Sequence, residues 1–501
     1  MERGSGLLVH ISELPSRHGI GTFGKEARKF VRFLKDSKQK YWQILPLNPT
    51  SYGDSPYQSF SAFALNPYFI DLDYLVKDKY LTKEEVRNIR GGHNPNEIDY
   101  GKIYVERFSI LKLAFSRAYE IEKNKIDKFY KYQKRWLEDY AMFMVIKDYF
   151  NGKSFQEWPL EYRKHSKKAI NKIKNERYYD YLFYIWLQFK AYFQYKKLRK
   201  YANKKGIKII GDMPIYVSLD SADVWANPHL FLLDKKRHPT KVAGVPPDFF
   251  SETGQLWGNP LYNYEFCKKN NYKWWKLRFK SMSKLYDLLR IDHFRGFESY
   301  WEIPSGEQTA INGQWIQGPG IELFNACKKE TSKIQIIAED LGIITDKVKM
   351  LKNECNFPGL KVYQFAFADY KYTQEETKYE ELDNPYLPHN YEKNCVAYIG
   401  THDNDIEDHF IEEHQEEIPA MLDYLKINNV NDIHDTLIGS LIRSNADVVI
   451  FMPQDILRFD KNSRINMPGK ASGNWKFRFR KGDFSKKLAI HLSQMVEEAN
   501  R

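Results

Sequence analysis

Eight short apolar runs are spread along the 501 residues, and most of them stop at an ionisable or amide side chain. They are GLLVH (6–10), YWQILPL (41–47), KIIGDMPI (208–215), LYDLLRIDHF (285–294), QIIAEDLG (335–342), LKVYQFAF (360–367), CVAYIGTHDN (395–404) and DVVIFMPQD (447–455). Each has the length and the β-branched or aromatic content of a buried strand. Stretches between several of them carry helical spacing, as in Ala27, Phe30, Val31, Phe33 and Leu34, or from Thr345 to Glu354. Strand runs alternating with helices eight times predict a parallel sheet closed into a (β/α)8 TIM barrel.

Residues 81–205 break that alternation. Thr82 and Glu85 have the spacing of a capping box, and long periodic runs follow, such as Phe108, Leu111, Leu113 and Phe115, then Trp136, Leu137, Ala141, Phe143 and Ile146. The expected organisation is a catalytic barrel from 1–80 and 206–501, with a helical insertion subdomain at 81–205. Two long segments, 50–68 and 228–260, are rich in Gly, Pro, Ser and aromatics and read as ordered loops beside a site.

Net charge is +12, from 77 basic and 65 acidic residues, but the signs are mixed along the chain. The basic run KKLRKYANKKGIK (196–208) reads as a solvated helix face, and no nucleic-acid motif is present, so no nucleic-acid partner is expected. Cys267, Cys327, Cys355 and Cys395 form no CxxC pair, which fits reduced thiols. No apolar run approaches the roughly 18 residues of a membrane span, and LLVHI is too short for a secretion signal. A cytoplasmic protein without a membrane partner is expected; nothing in the sequence fixes an oligomeric state.

Within LLRIDHFRG (288–296), Arg290 and Asp292 are two apart and share one side of a strand, with Ile291 on the other. Desolvating such a pair costs free energy, which marks Asp292 as the centre of a site. Runs ending in His10, Asp212, Glu339, His402 with Asp403, and Gln454 with Asp455 bring further polar groups to the C-terminal ends of strands, where barrel sites lie. Carboxylates facing one pocket with an Arg and a His suit glycosyl chemistry, which needs a base or nucleophile opposite an acid. Arg290 supplies the charge partner for Asp292. Ile336, Ile337 and Ala338 give Glu339 an apolar approach that raises its pKa. Tyr52, Tyr57, Phe249, Phe250 and Trp257 offer flat faces for sugar rings. THDND (401–405) and IDHF (291–294) hold Asp near His, but there is no HExxH, EF-hand, P-loop or GxGxxG, and neither metal nor cofactor is expected.

GDSPYQSFSAFALNPY (53–68), GDMPIYVSLDSADVW (211–225), GVPPDFFSETGQLWGNPLY (244–262), RIDHFRG (290–296), IAEDLG (337–342), THDND (401–405) and NMPG…SGNW (466–475) together resemble the 4-α-glucanotransferases, the amylomaltases or disproportionating enzymes of glycoside hydrolase family 77. The resemblance implies an α-amylase-type barrel with no C-terminal β-sandwich, and retaining transfer of α-1,4-glucan segments between maltooligosaccharides or amylose. It implies Asp292 as nucleophile, Glu339 as general acid/base and Asp403 as the third, transition-state-stabilising carboxylate. Arg290, His402, Asp212, Tyr57 and His293 become substrate-binding groups. Asp248, Trp257 and Asn466 become acceptor-side or loop contacts, and Tyr52 part of a second glucan-contact site. Retention requires the Asp292 and Glu339 carboxyl groups to lie about 5–5.5 Å apart. The loops 246–258 and 466–473 are candidates to cover the site. A hydrolytic α-1,4-glucosidase or a non-catalytic glucan-binding protein would share much of this pattern.

Overall fold

The computed structural model describes residues 1–247, 251–368, 384–470 and 472–501; the side chains of Tyr52 and Ala368 lie outside the described set. Eight strands form the central sheet: β1 (Gly4–Leu8), β2 (Tyr41–Gln43), β3 (Lys208–Pro214), β4 (Leu288–Asp292), β5 (Gln335–Ala338), β6 (Gly359–Val362), β7 (Cys395–Tyr398) and β8 (Val448–Phe451). All neighbours are parallel, in the order β6-β7-β8-β1-β2-β3-β4-β5. The Ala338 N–H donates to the Pro358 carbonyl at 2.9 Å and brings β5 back beside β6. The sheet is therefore an eight-stranded barrel, and each strand falls within one of the apolar runs or overlaps it.

The side-chain period of two divides every strand between an inside and an outside. Leu8, Tyr41, Ile210, Leu288, Ile337, Leu360, Val396 and Val448, one from each strand, meet in a single cluster that fills the barrel. Their neighbours Leu7, Trp42, Ile209, Leu289, Ile336, Ala397 and Val449 belong to the larger core on the helical side. Strands buried on both faces read as unbroken apolar runs for this reason.

Helix Lys25–Asp36 follows β1 and buries Ala27, Phe30, Val31, Phe33 and Leu34. Between β2 and β3 the chain is mainly helical. Thr82 and Glu85 form the capping box that opens helix Lys83–Arg87. Helices Tyr100–Tyr149 and Tyr178–Lys204 pack on each other through Phe108, Phe115, Phe183 and Trp186. Their buried side chains join the same core as the barrel's outer face. Among the described residues no strand follows β8, and the chain closes with helix Lys486–Glu498.

The segment 228–260 differs from its reading as a loop. It holds strands Lys241–Val245 and Gln255–Pro260, which join Ser299–Pro304 and Gln314–Gln317 in an antiparallel sheet beside the barrel. These strands are short and partly exposed, and two of their partners follow β4, so no periodic signal marks them. Phe249 and Phe250 lie outside the described residues.

Gly6 marks how tightly the barrel is closed. A Cβ there would sit 2.5 Å from the Tyr41 carbonyl oxygen, 2.6 Å from the Tyr41 Cβ and 2.9 Å from Ile450 Cδ1. Gly6→Ala should push β1 off both neighbours and cost about 2 kcal/mol, read as a lower urea midpoint. Gly101→Ala is the control. Its Cβ would meet only Asp99 Oδ1, at 3.6 Å, near the start of a helix. It should leave the midpoint unchanged or raise it, by up to about 1 kcal/mol of added stability. Equal midpoints for Gly6→Ala and wild type would contradict this account of the barrel.

Candidate active site

Alternation along β4 places Leu288, Arg290 and Asp292 on the barrel's inner side, while Leu289 and Ile291 pack outside. The same rule carries Ile210 to Asp212 on β3, and Ile337 to Glu339 just past β5. Arg290 Nη1 is 3.0 and 2.8 Å from the two oxygens of Asp212, and 2.9 Å from Asp292 Oδ1. One nitrogen thus joins two carboxylates. Burial opposes the charge on Arg290, but Asp212 and Asp292 outweigh it and hold the guanidinium charged. The Asp292 side chain is 28 % exposed and opens toward the site, whereas Arg290 and Asp212 are buried.

Tyr57 comes from the loop after β2. Its hydroxyl donates to Asp212 Oδ2 at 2.9 Å and lies 2.8 Å from His402 Nε2. The phenol has one proton, so His402 Nε2 carries the hydrogen that the Tyr57 oxygen accepts. The two rings stack at 5.3 Å with 8° between their planes. Burial lowers the His402 pKa, with Asp403 opposing, and keeps the ring neutral. His402 Nε2 is also 3.3 Å from Asp403 Oδ2, and Asn466 Nδ2 donates to Asp403 Oδ1 at 2.6 Å.

Glu339 lies one residue past β5, the strand that pairs with β4. Its Oε2 accepts the His293 N–H at 2.6 Å and its Oε1 the Leu341 N–H at 2.8 Å. Its backbone is fixed as well, donating to the Ile291 carbonyl and accepting from the Phe294 N–H. Burial raises the Glu339 pKa to about 7; Arg290 opposes that shift and Asp292 adds to it. His293 turns through the left-handed region (φ 54°, ψ 50°), which aims its N–H at Glu339. Its ring meets Trp257 edge-on at 4.8 Å, and burial with Arg295 nearby holds it neutral, with a pKa pushed down to about 3.

The structure thus brings together Asp292, Glu339, Asp403, Arg290, Asp212, Tyr57, His402, His293, Trp257 and Asn466. Asp248 and the Tyr52 side chain lie outside the described residues. Of the other strand-end groups, Asp455 goes elsewhere and accepts the Glu407 N–H at 3.0 Å, whereas the His10 ring packs on Phe69 and stays near His402 and Trp475. Two participants were missed. Trp475 closes one wall at 5.7 Å from Tyr57 and 6.0 Å from His402. Arg464, two residues before Asn466, holds the loop that carries Asp403. Among the described residues no group of three or more His, Cys, Asp or Glu side chains is arranged to hold a metal ion.

The family model for 4-alpha-glucanotransferase matches residues 9–484, a span that takes in β2 to β8. The 4-alpha-glucanotransferase of Clostridium butyricum is 46 % identical over 491 residues, covering 97 % of this chain and 99 % of the relative. That of Streptococcus pneumoniae is 44 % identical over 484 residues, covering 95 % and 93 %. Among solved structures, the amylomaltase of Streptococcus agalactiae in complex with acarbose superposes with a TM-score of 0.95 at 39 % identity, over the full length of both chains. The barrel, its helical insertion and these matches agree over nearly the whole sequence: the chain belongs to the 4-α-glucanotransferase family.

Proposed function

We propose that this chain moves α-1,4-glucan segments from a donor maltooligosaccharide or amylose to the 4-hydroxyl of an acceptor glucan or glucose, by double displacement at Asp292 and Glu339. The observation that carries the reading is the contrast between these two carboxyl groups. Asp292 stands beside Arg290 and opens to the site, while Glu339 is buried and accepts two backbone N–H groups.

Glu339 gives its proton to the glycosidic oxygen as Asp292 attacks the anomeric carbon. The C–O bond breaks, the shortened glucan leaves with that proton, and the glucosyl chain is esterified to Asp292. Glu339, now a carboxylate, takes the proton from an incoming 4-hydroxyl as that oxygen displaces Asp292. Two inversions give net retention. A pKa near 7 suits a group that must be acid in one half and base in the other. Asp403, held by Asn466, binds sugar hydroxyls and stabilises the positive charge that develops on the ring; Asp212, Tyr57 and His402 form the wall against which that ring lies. Trp257 and Asn466 face the acceptor side, where excluding water favours transfer over hydrolysis.

Residues 81–205 are read as a helical insertion subdomain set into a barrel made of 1–80 and 206–501. The four unpaired cysteines support a reducing, cytoplasmic setting, and no described helix is long and apolar enough to cross a membrane.

With maltotriose as sole substrate, the products should be glucose and a ladder of longer oligomers; glucose and maltose alone would indicate hydrolysis. Asp292→Asn should lower turnover by at least about a thousandfold with an unchanged circular dichroism spectrum. In a crystal structure of the complex, the Asp292 and Glu339 carboxyl groups should be about 5–5.5 Å apart, and a gap near 9 Å would exclude retention.

The raised pKa of Glu339 also has a consequence for stability. The folded chain binds this proton more tightly than the unfolded chain, whose glutamate titrates near the ordinary value of 4.5. The stability due to protonated Glu339 is complete below that pH and is lost as pH rises toward 7. Glu339→Gln does not titrate. The stability of the variant relative to wild type should therefore rise by on the order of 2 kcal/mol between pH 4.5 and pH 7.5, measured by urea unfolding. A difference that is flat with pH would show that burial does not hold the proton on Glu339.

A further inference from the structure

We infer that Arg464 is a positioning residue for Asp403, acting through the backbone of two loops it ties together. The inference rests on the proposed role of Asp403. Arg464 spends its planar fork on three acceptors. Nε donates to the Asn466 carbonyl at 2.9 Å, Nη1 to Asp405 Oδ2 at 2.8 Å, and Nη2 to the Asp403 carbonyl at 3.1 Å. The loop after β7 and the loop after β8 are joined beside Asp403 by this guanidinium, and further along by the Glu407–Asp455 and Asp408–Arg458 contacts. Asn466 then closes the ring by donating from Nδ2 to Asp403 Oδ1 at 2.6 Å.

The geometry decides what each contact does. Asp403 has a 41 % exposed side chain, so packing alone does not fix its rotamer. Its two oxygens are set instead by Asn466 on one side and by His402 Nε2, 3.3 Å away, on the other. Asn466 holds its oxygen only while its own backbone stays in register with residues 403–405. Arg464 sets that register from both sides, since it grips the carbonyls of Asp403 and Asn466 together.

Asp405 makes the grip stiff. Its Oδ2 takes the Arg464 charge and also lies 2.9 Å from His409 Nδ1, while its carbonyl accepts from Gln364 Nε2 at 3.0 Å. Arg464 is 18 % and Asp405 20 % exposed, so the pair is partly desolvated and its contacts are worth more than those of a surface pair. Three acceptors lying in a fan suit a guanidinium. A lysine ammonium has no fork with which to span them.

The test is a double-mutant cycle on maltotriose disproportionation, with kcat and KM read separately from initial glucose release. Arg464→Ala should lower kcat on the order of 10–100-fold and leave KM within about threefold, because a displaced Asp403 fails mainly in the transition state. In an Asp403→Asn background the same change should alter kcat by less than about twofold, since the carboxylate it serves is gone. Arg464→Lys keeps the charge but not the fork. Its kcat should stay about tenfold down with a melting temperature close to wild type, and it carries the test if the alanine variant does not fold.

Wild-type kcat in Arg464→Ala alongside an impaired Asp403→Asn would overturn the inference. So would an equal loss in both backgrounds, which would mark Arg464 as a general stabiliser of the fold. Wild-type kcat in Asp403→Asn would remove the role of Asp403 itself, and the inference with it.

Discussion

The site depends on one nitrogen. Arg290 Nη1 lies against both Asp212 and Asp292 inside the barrel, and each of the three groups would be costly to bury alone. One guanidinium faces two carboxyl groups, and burial pushes the Asp212 pKa up to about 7, with Arg290 opposing that shift. Tyr57 donates a hydrogen bond to Asp212 and so meets part of the remaining demand. Removing Arg290 would leave Asp212 buried with no cation beside it. The barrel makes this arrangement possible because strands β3 and β4 are adjacent, with Asp212 and Arg290 in register across the ladder. A period of two then brings Asp292 to the same inner side one step further up.

The difference between Asp292 and Glu339 follows from where each chain segment ends. Asp292 is the last residue of β4, next to a cation and to open space. Glu339 comes one residue past β5, where the chain must satisfy its carboxyl with whatever backbone is near. The left-handed turn at His293 supplies one N–H and Leu341 the other. Two carboxyl groups of similar intrinsic acidity thus face different surroundings, and division of labour between acid and nucleophile needs such a difference.

Much of this was legible in the sequence, for reasons that can be named. Parallel strands buried on both faces leave unbroken apolar runs, so all eight could be found and their polar ends marked. The i, i+2 spacing of Arg290 and Asp292 gave their shared side directly. The apolar approach to Glu339 signalled the raised pKa. Asn466 came from family resemblance alone, because nothing in NMPG states which carboxylate it will meet. Arg464 was invisible: a long side chain whose acceptors are mostly backbone carbonyls leaves no pattern at either end. Asp455 misled for the opposite reason. Its run ends in a carboxylate like the others, yet the chain turns into helix Pro453–Ile456 and gives it to the Glu407 N–H. The antiparallel sheet was hidden because its strands pair across the sequence of β4.

The loop carrying Tyr57 continues through 63–71 with one 3-10 turn at Pro67–Phe69 and otherwise irregular backbone, which near a core must find partners for its N–H and C=O groups. Helix Tyr178–Lys204 provides them. Gln188 accepts from the Leu65 N–H and donates to its carbonyl, both at 2.8 Å. Gln194 does the same for Asp71, at 2.7 and 3.2 Å, and the Tyr192 hydroxyl donates to the Phe63 carbonyl at 2.6 Å. Each glutamine imitates a neighbouring strand at one residue. From the barrel side, Asp223 accepts the Ala62 N–H at 2.7 Å. A loop gripped at Ala62, Phe63, Leu65 and Asp71 has little freedom left at Tyr57, only five residues before the first of these anchors. The phenol can then hold a fixed place between Asp212 and His402, so the helices contribute to the site without touching it.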